Sequence, residues 1–266
     1  MDNVAIIIST KDPAGLNIKD SLLKNFEFRK TGRVFEDSEI FELDEIKIYT
    51  TNKDSIFCEN IDKKIEADFF IFASKHKSES AIPTLTTHVT GNFGIAELGG
   101  NDKTLCIAMP LFMKSALRFL HENKLEGFDV VQEATHHGPF LEKPLAFIEI
   151  GSSIEQWRNK EAADLIAGAI VNAVKNSEDC EAAIGLGGLH YASTLRKIML
   201  GYEFAIGHIC PKYNLHNLNE DLLMQMINKN TKKATKIFLD WKGMGEEKQR
   251  IIELLTSFNF EFEKVK

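Results

Sequence analysis

The sequence has no long hydrophobic run, no excess of positive charge and no closely spaced cysteine pair. The apolar run Val4–Ile8 is far shorter than a signal-peptide core or a membrane span, so we expect a cytoplasmic protein that does not contact a membrane. The wide spacing of the cysteines indicates reduced thiols, with neither a disulfide framework nor a thiolate zinc site. These cysteines are Cys58, Cys106, Cys180 and Cys210.

The formal net charge of −7 weakens any general attraction to nucleic-acid phosphate, and we expect no DNA partner. An RNA substrate would therefore need a local basic surface on the protein. The candidate clusters, each of which is equally compatible with an ordinary solvated face, are Lys75-His76-Lys77, Arg158 with Lys160, and Arg196-Lys197.

The 266 residues suffice for one large core, and no repeat or Pro-rich linker divides them, so we predict a single domain over residues 1–266. The helical stretches show no coiled-coil seam, which favours a monomer. Short β-branched or aromatic runs alternate with amphipathic helical stretches. This alternation predicts an α/β fold in which a mixed, largely parallel central sheet is flanked by helices.

The predicted strands are Val4–Ser9, Glu45–Thr50, Phe69–Ala73, Leu105–Met109, Asp129–Gln132, Leu145–Ile150, Ala182–Leu186, Glu203–Gly207 and Lys236–Asp240. The predicted helices are Leu111–Glu122, Ile154–Val174, Tyr191–Leu200, Asn219–Asn228 and Glu246–Ser257. The glycine-rich stretch 99–102 also predicts a hairpin between Phe93–Leu98 and Thr104–Met109.

Polar and glycine residues follow most of the predicted strands. In an open parallel sheet, sites form just beyond the carboxyl ends of the strands, so these residues are expected at one common edge. The candidates at this edge are Ser9, Asp12, Ser74, Lys75, His76, Glu133, His136, His137, Gly151, Ser152, Gly187, Gly188, His190 and His208.

The adjacent His136 and His137 are the first candidates for chemistry. In an extended segment their side chains point to opposite sides, so both bind one metal only if the chain turns there. Otherwise one ligates a metal or acts as acid or base while the other orients a second group. Glu133 has the parity of His137, and imidazole with carboxylate suits zinc. A pair of hydrogen-bonded loop histidines is the structural alternative.

His88, His190 and His208 are candidates to complete a metal or acid/base set, although buried structural histidines are common. The loop that contains Gly187 and Gly188 fails the dinucleotide fingerprint, because a histidine stands where the third glycine belongs. Its amides would form either a nest for an oxyanion or a tight strand-to-helix turn.

Nucleophilic serine catalysis has little support, because no G-x-S-x-G motif is present and Ser152-Ser153 suits a helix cap. Aromatic side chains that either stack on a terminal base or pack in the core are Phe93, Trp157 and Tyr191.

Five segments, in the same order, resemble the archaeal and plant D-aminoacyl-tRNA deacylases. The resemblance spans roughly residues 5 to 210, and the segment Glu133–Pro139 is its most specific part. The segments are Ser9-x-x-Asp12-x-Ala14-Gly15-x-Asn17, His88-x-x-Gly91-Asn92, Glu133-Ala134-Thr135-His136-His137-Gly138-Pro139, Glu149-Ile150-Gly151-Ser152 and His190-Tyr191.

This resemblance implies a zinc-dependent esterase that hydrolyses D-aminoacyl-tRNA to D-amino acid and tRNA, with a fold similar to peptidyl-tRNA hydrolase and phosphorylase-like sheets. We predict zinc ligands among His88, His136, His137 and His208, and catalytic roles for His137, Glu133 and His190. The predicted substrate-binding residues are Ser9, Asp12, Gly91, Asn92, Gly151, Ser152, Gly187, Gly188 and Tyr191.

Two alternatives remain open at the level of sequence. A metal-dependent hydrolase or phosphorylase acting on a small nucleoside or amide would use the same histidines and glycines without binding tRNA. A ligand-binding module would coordinate a metal without turnover.

Overall fold

The computed structural model describes residues 1–79, 81–201 and 203–266, and its strands form two sheets. The strands of the larger sheet are β1 (Val4–Ser9), β2 (Arg29–Phe35), β3 (Ser38–Leu43), β4 (Ile46–Thr51), β5 (Phe69–Lys77), β6 (Thr84–His88), β7 (Asp129–Gln132) and β8 (Leu145–Ser152). Their order across the sheet is β2-β3-β4-β1-β5-β8-β6-β7. The pairs β1–β4, β1–β5, β5–β8 and β6–β7 are parallel, so the sheet is mixed but largely parallel.

The second sheet is parallel throughout and has the order β10-β9-β11-β12. Its strands are β9 (Glu181–Leu186), β10 (Phe204–Cys210), β11 (Ala234–Asp240) and β12 (Phe262–Val265). In the described residues the α-helices are α1 (Pro13–Asn25), α2 (Pro110–Glu122), α3 (Ile154–Trp157), α4 (Lys160–Lys175), α5 (Ser193–Leu200), α6 (Glu220–Asn228) and α7 (Lys248–Ser257). No helix of the described residues has both the length and the apolar character needed to cross a membrane.

The predicted α/β class with a largely parallel sheet is confirmed, but the strands divide between two sheets instead of one. The predicted strand Leu105–Met109 and its hairpin are wrong, because this region makes only isolated bridges, such as that between Gly91 and Leu105. The predicted helix Ile154–Val174 is instead two helices, α3 and α4. The Asn159 side chain is the N-cap of α4 and accepts a hydrogen bond from Ala162 N. Elements that the sequence did not predict are α1, β2, β3, β6 and β12.

The segment after β7 joins the two sheets. Glu133 N donates to Thr87 O of β6 at 3.1 Å, and Thr135 N donates to Ile209 O of β10 at 3.0 Å. The backbone that carries the histidine pair is therefore held between both sheets. The expectation of a single domain stays a prediction.

Lys114 of α2 is a buried cation that packs against the second sheet. Its Nζ donates to Met199 O and Phe204 O, each at 2.9 Å, and also to Gly201 O. These carbonyls belong to the end of α5, the residue after it and the start of β10. One ammonium thus satisfies the backbone where α5 turns into β10.

We expect Lys114→Met to lower the free energy of unfolding by about 1–3 kcal/mol, because buried carbonyls would lose their donor. Chemical denaturation monitored by circular dichroism measures this change. Lys124→Met is the matched control, since Lys124 is exposed just beyond the same helix. Equal stability of the two variants would contradict the role of Lys114.

Candidate functional site

A cavity of about 560 Å³ opens at the carboxyl-end edge of the larger sheet, where β5 and β8 end. The segment after β7 and the loop before α5 also contribute to it. The lining residues are Asp12, Asp54, Ser55, Ile56, Phe57, Ser74, Lys75, His76, Lys77, Leu98, His136, His137, Glu149 and His190. Histidines and carboxylates from distant parts of the sequence therefore share one cavity.

Glu133 is a buried carboxylate on which histidines converge. Its Oε1 lies 3.1 Å from His76 Nδ1. Its Oε2 lies 3.1 Å from His190 Nε2 and 3.6 Å from His136 Nε2. Glu133 thus brings together side chains from β5, from its own segment and from the loop before α5.

Two tyrosine hydroxyls hold the outer nitrogens of two of these histidines. Tyr191 Oη lies 2.8 Å from His76 Nε2, and Tyr213 Oη lies 3.2 Å from His190 Nδ1. Both rings are therefore fixed at each nitrogen. The structure brings Tyr191 into the site, and its predicted contact with substrate stays a prediction.

Glu149 of β8 is a second buried carboxylate, and it contacts the histidines of two strands. Ser74 Oγ donates to Glu149 Oε1 at 2.6 Å. Glu149 Oε2 lies 3.4 Å from His88 Nε2 and 3.7 Å from His76 Nδ1. Ser74, Glu149 and Thr86 are in register across β5, β8 and β6, so their side chains lie on the same face of the sheet. The strand register therefore fixes the contacts of Glu149.

His88, His136 and His137 form a compact group with ring centroids 4.2–4.9 Å apart. His136 Nδ1 lies 2.8 Å from Ala134 O, and the Nδ1 atoms of His88 and His137 contact the carbonyls of the residues that follow them. A carbonyl only accepts, so each Nδ1 carries the hydrogen. In His136 and His137 each Nε2 then keeps a lone pair for a metal, which is the usual arrangement of ligating histidines. Burial opposes protonation of His88, but the Glu149 carboxylate that faces its Nε2 outweighs burial and raises the pKa of His88, so a metal at this atom would replace its proton.

Burial and the mutual repulsion of the imidazoles control the protonation of His136 and His137. Burial, followed by the charge of His88, lowers the pKa of His137 to about 4. Burial and the neighbouring His137 lower the pKa of His136 well below its usual range. Both rings are therefore neutral near pH 7, as metal ligation requires.

The histidines beside the carboxylates behave in the opposite way. Burial opposes protonation of His76, but the adjacent carboxylates of Glu133 and Glu149 outweigh it and raise the pKa of His76 to about 11. Burial would raise the pKa of Glu133, but the contacts with His190 and His76 outweigh it and hold that pKa well below its ordinary value. Glu133 is therefore ionised at neutral pH.

The donor sets fit a zinc ion. Within the described residues, ligand atoms lie within 4.8 Å of one another in the sets His88–His136–His137, His76–Glu133–His190 and His88–Glu133–Glu149. In the same part of the chain, His88 Nε2 is buried, and its contact with Glu149 Oε2 is long at 3.4 Å. Buried polar atoms are normally satisfied, so this atom is suited to a ligand, and imidazole with carboxylate is a donor set that zinc prefers.

His76 and Glu149 are central to the cluster. His76 was expected at this edge of the sheet, but neither residue was predicted to take part in the chemistry. His76 lies between two lysines, which made it resemble part of a basic surface. Glu149 interrupts an otherwise apolar strand, and a charged residue in a buried strand is a signal that could have identified it.

His208 is not brought to the site, and its prediction as a metal ligand is corrected. His208 Nε2 donates to Lys229 O at 2.9 Å, and Nδ1 lies 3.2 Å from Thr135 Oγ1. Both ring nitrogens are thus used within the protein. His208 packs in β10 behind the histidine segment and supports it.

The predicted oxyanion nest at Gly187 and Gly188 is also corrected. Gly187 N donates to Cys210 O at 2.9 Å, and Gly188 N donates to Gly243 O at 3.0 Å. Both φ angles are positive, and a Cβ on Gly188 would lie 3.1 Å from an Asp240 carboxylate oxygen. The alternative of a tight turn is therefore correct, because neither amide is free for a ligand.

Ser9 and Asp12 shape the turn between β1 and α1. Ser9 Oγ donates to Lys53 O at 2.6 Å, so its hydroxyl does not reach the cavity as predicted. Asp12 Oδ1 accepts from the first amides of α1, while Oδ2 accepts from Lys75 N at 2.9 Å. Asp12 lines the cavity, but its oxygens are already engaged with backbone amides.

Gly151 and Ser152 lie behind His76. A Cβ on Gly151 would lie 2.9 Å from His76 Cδ2 and 2.4 Å from Thr84 Oγ1, so glycine leaves room for the histidine. Ser152 Oγ donates to Ile82 O and thus turns away from the cavity. The predicted substrate contact of the Ser152 hydroxyl is therefore corrected to a structural contact.

Gly91 and Asn92 hold the loops around the histidine group. Gly91 N donates to His137 O at 2.9 Å, and a Cβ on Gly91 would lie 2.7 Å from Leu105 Cα. Asn92 Nδ2 donates to Gly99 O at 2.9 Å. Both residues therefore position loops, whereas the sequence predicted that they contact substrate. The adjacent Phe93 is buried in the core.

Comparisons with known proteins show which family this chain resembles. The family model described as D-aminoacyl-tRNA deacylase matches residues 63–263. D-aminoacyl-tRNA deacylases of Pyrococcus furiosus and Thermococcus kodakarensis are 40% and 39% identical over 268 residues, which cover 97% of this chain and 99% and 98% of those proteins. A solved structure described as a conserved protein of unknown function aligns with a TM-score of 0.91 at 33% identity, covering 99% of this chain and 95% of that chain.

We expect Gly91→Ala to weaken zinc binding by about 10- to 100-fold, because the displaced backbone would move His137 relative to His88. Titration of the apo-protein with zinc, followed by calorimetry, measures this affinity. Gly127→Ala is the control, since Gly127 also has a positive φ angle but open space around its Cβ position. If both variants bind zinc with the affinity of the parent protein, Gly91 has no role in positioning His137.

Proposed function

Because the chain belongs to the D-aminoacyl-tRNA deacylase family, we propose that it hydrolyses the ester bond of D-aminoacyl-tRNA and releases D-amino acid and tRNA. The observation that carries this proposal is the cluster of histidines and two buried carboxylates beside one open cavity, which four of the histidines and Glu149 line. An esterase needs an activated water, a proton donor for the leaving group and room for substrate. The cluster offers groups for the first two tasks, and the cavity provides the room.

We propose that zinc is the cofactor and that His88, His136 and His137 hold it. Three imidazoles that leave one position open to solvent are typical of catalytic zinc, and the low pKa of His137 favours its neutral, ligating form. When bound there, zinc would supply Lewis-acid chemistry that makes water nucleophilic at neutral pH and polarises the ester carbonyl.

We propose that His190 donates the proton that the departing ribose oxygen needs. Its side chain is 34% exposed, so it can face a substrate, and its Nε2 lies 3.1 Å from Glu133 Oε2. Glu133 would hold Nε2 and keep the ring oriented, and Nδ1 would give up its proton to the ribose oxygen, which would take the place of the Tyr213 hydroxyl. His76–Glu133–His190 also fits a metal, so the role of His190 needs a direct test.

The substrate class implies that the protein acts in the cytoplasm with tRNA as its partner. A monomer and the absence of DNA and membrane partners stay predictions. The residues around the cavity include Lys75 and Lys77, which are the local cations that an acidic protein needs to hold an RNA end.

We expect the purified protein to hydrolyse a D-aminoacyl-tRNA and to leave the matched L-aminoacyl-tRNA intact. A chelator should abolish this activity, because the pKa of the attacking water would no longer be lowered by zinc. Added zinc should restore the activity. His136→Ala should lose both zinc and activity. His216→Ala, which removes an exposed histidine, is the control and should retain both. Equal rates on the two enantiomers, or full activity after chelation, would contradict the proposal.

We expect His190→Asn to lower kcat by about 10²- to 10⁴-fold while the zinc content is unchanged, because only the proton donor is removed. Single-turnover kinetics combined with metal analysis measures both quantities. A loss of zinc in this variant would instead assign His190 to a metal site and overturn its role as the proton donor.

A further inference from the structure

The cavity has an apolar section next to the histidine group. Ile56, Phe57 and Leu98 line this section, and we call them the apolar wall. Phe57 is 47% exposed and Leu98 is 57% exposed, because both side chains lie at the cavity and not in the core. Large apolar side chains exposed together beside a site indicate a surface that binds something apolar.

The apolar wall is attached to the loop that carries the histidines. Gly138 N donates to Leu98 O at 2.9 Å, directly after His137. A Cβ on Gly99 would lie 2.1 Å from Ile56 O, so the two loops of the wall pack backbone to backbone. The wall therefore has a fixed position relative to the reacting groups.

The cationic part of the lining belongs to a different part of the fold. Lys75 N is held by Asp12 Oδ2 at the start of α1, and Lys75 Nζ lies 5.8 Å from the centre of the Trp157 ring. Lys77 follows at the end of β5. Apolar and cationic groups are thus separated within one cavity, each on its own structural support.

The two ends of an aminoacyl-tRNA ester differ in the same way. One end is a ribose with its anionic phosphate, and the other is an amino acid whose side chain is often apolar. Charge complementarity favours the phosphate at Lys75 and Lys77, which leaves the apolar wall for the amino acid.

We propose that the apolar wall binds the amino-acid side chain of the substrate and makes the enzyme favour large apolar D-amino acids over small ones. This inference rests on the proposed deacylase function. The interaction is hydrophobic burial against Phe57 and Leu98, so its strength depends on the size of the substrate side chain.

The test compares kcat/KM for D-phenylalanyl-tRNA and D-alanyl-tRNA. Phe57→Ala and Leu98→Ala should each lower kcat/KM for D-phenylalanyl-tRNA by about tenfold, with little change for D-alanyl-tRNA. Both side chains are half exposed, so folding should survive their truncation. Ile95→Ala is the matched control, because Ile95 is 78% exposed in the same loop as Leu98 but does not line the cavity.

Lys75→Met tests the orientation of the substrate. It should lower kcat/KM for both substrates by the same factor and reduce the dependence of kcat/KM on salt, because the phosphate is common to both.

Equal losses on both substrates in the Phe57 variant would overturn the proposal, since the wall would then contact the terminal adenosine that both share. Unchanged kinetics in the Phe57 and Leu98 variants would overturn it as well. Failure of the parent protein to hydrolyse either substrate would instead refute the deacylase function, so the two failures are distinguishable.

Discussion

The contact between the buried Glu133 carboxylate and its histidines is the interaction on which the site depends. An ionised carboxylate is costly to bury unless opposite charge or hydrogen-bond donors surround it. His76 and His190 compensate Glu133 from two different segments, and each is held in turn by a tyrosine hydroxyl. The electrostatic requirement of one residue thus forces distant parts of the chain to meet at the junction of the two sheets.

The backbone makes this meeting possible. The segment that begins at Glu133 bonds to β6 on one side and to β10 on the other. Further along, Glu59 accepts from Phe140 N and from Gly100 N, each at 2.6 Å, and so links the loops on both sides of the cavity. The histidine pair therefore lies on a segment that turns at His137, whose φ angle is positive, and that is restrained by hydrogen bonds, as a preorganised site requires.

The sequence revealed the histidine group because its residues lie at the ends of regular elements and stand out from apolar surroundings. His88 ends β6, and His136 and His137 follow β7. The parallel pairing of β6 with β7 brings the three residues together, although β6 was not predicted from the sequence. The second half of the cluster was harder to predict, since His76 owes its role to Glu133 and Glu149, which are 57 and 73 residues away in the chain. No local pattern encodes such a contact, because the sheet order that creates it depends on β8 pairing between β5 and β6.

His208 and His136 illustrate why residue type and position at a strand end do not suffice to assign a ligand. Both are neutral histidines of low pKa, and burial is the first cause in each. In His208 both nitrogens are used by protein groups, so a metal there would have to break a buried hydrogen bond. In His136 one nitrogen donates to a backbone carbonyl and the other faces a carboxylate at 3.6 Å, beyond ordinary hydrogen-bond distance. Ligand capacity therefore depends on the hydrogen bond that the second ring nitrogen makes, and this is a property of the folded backbone.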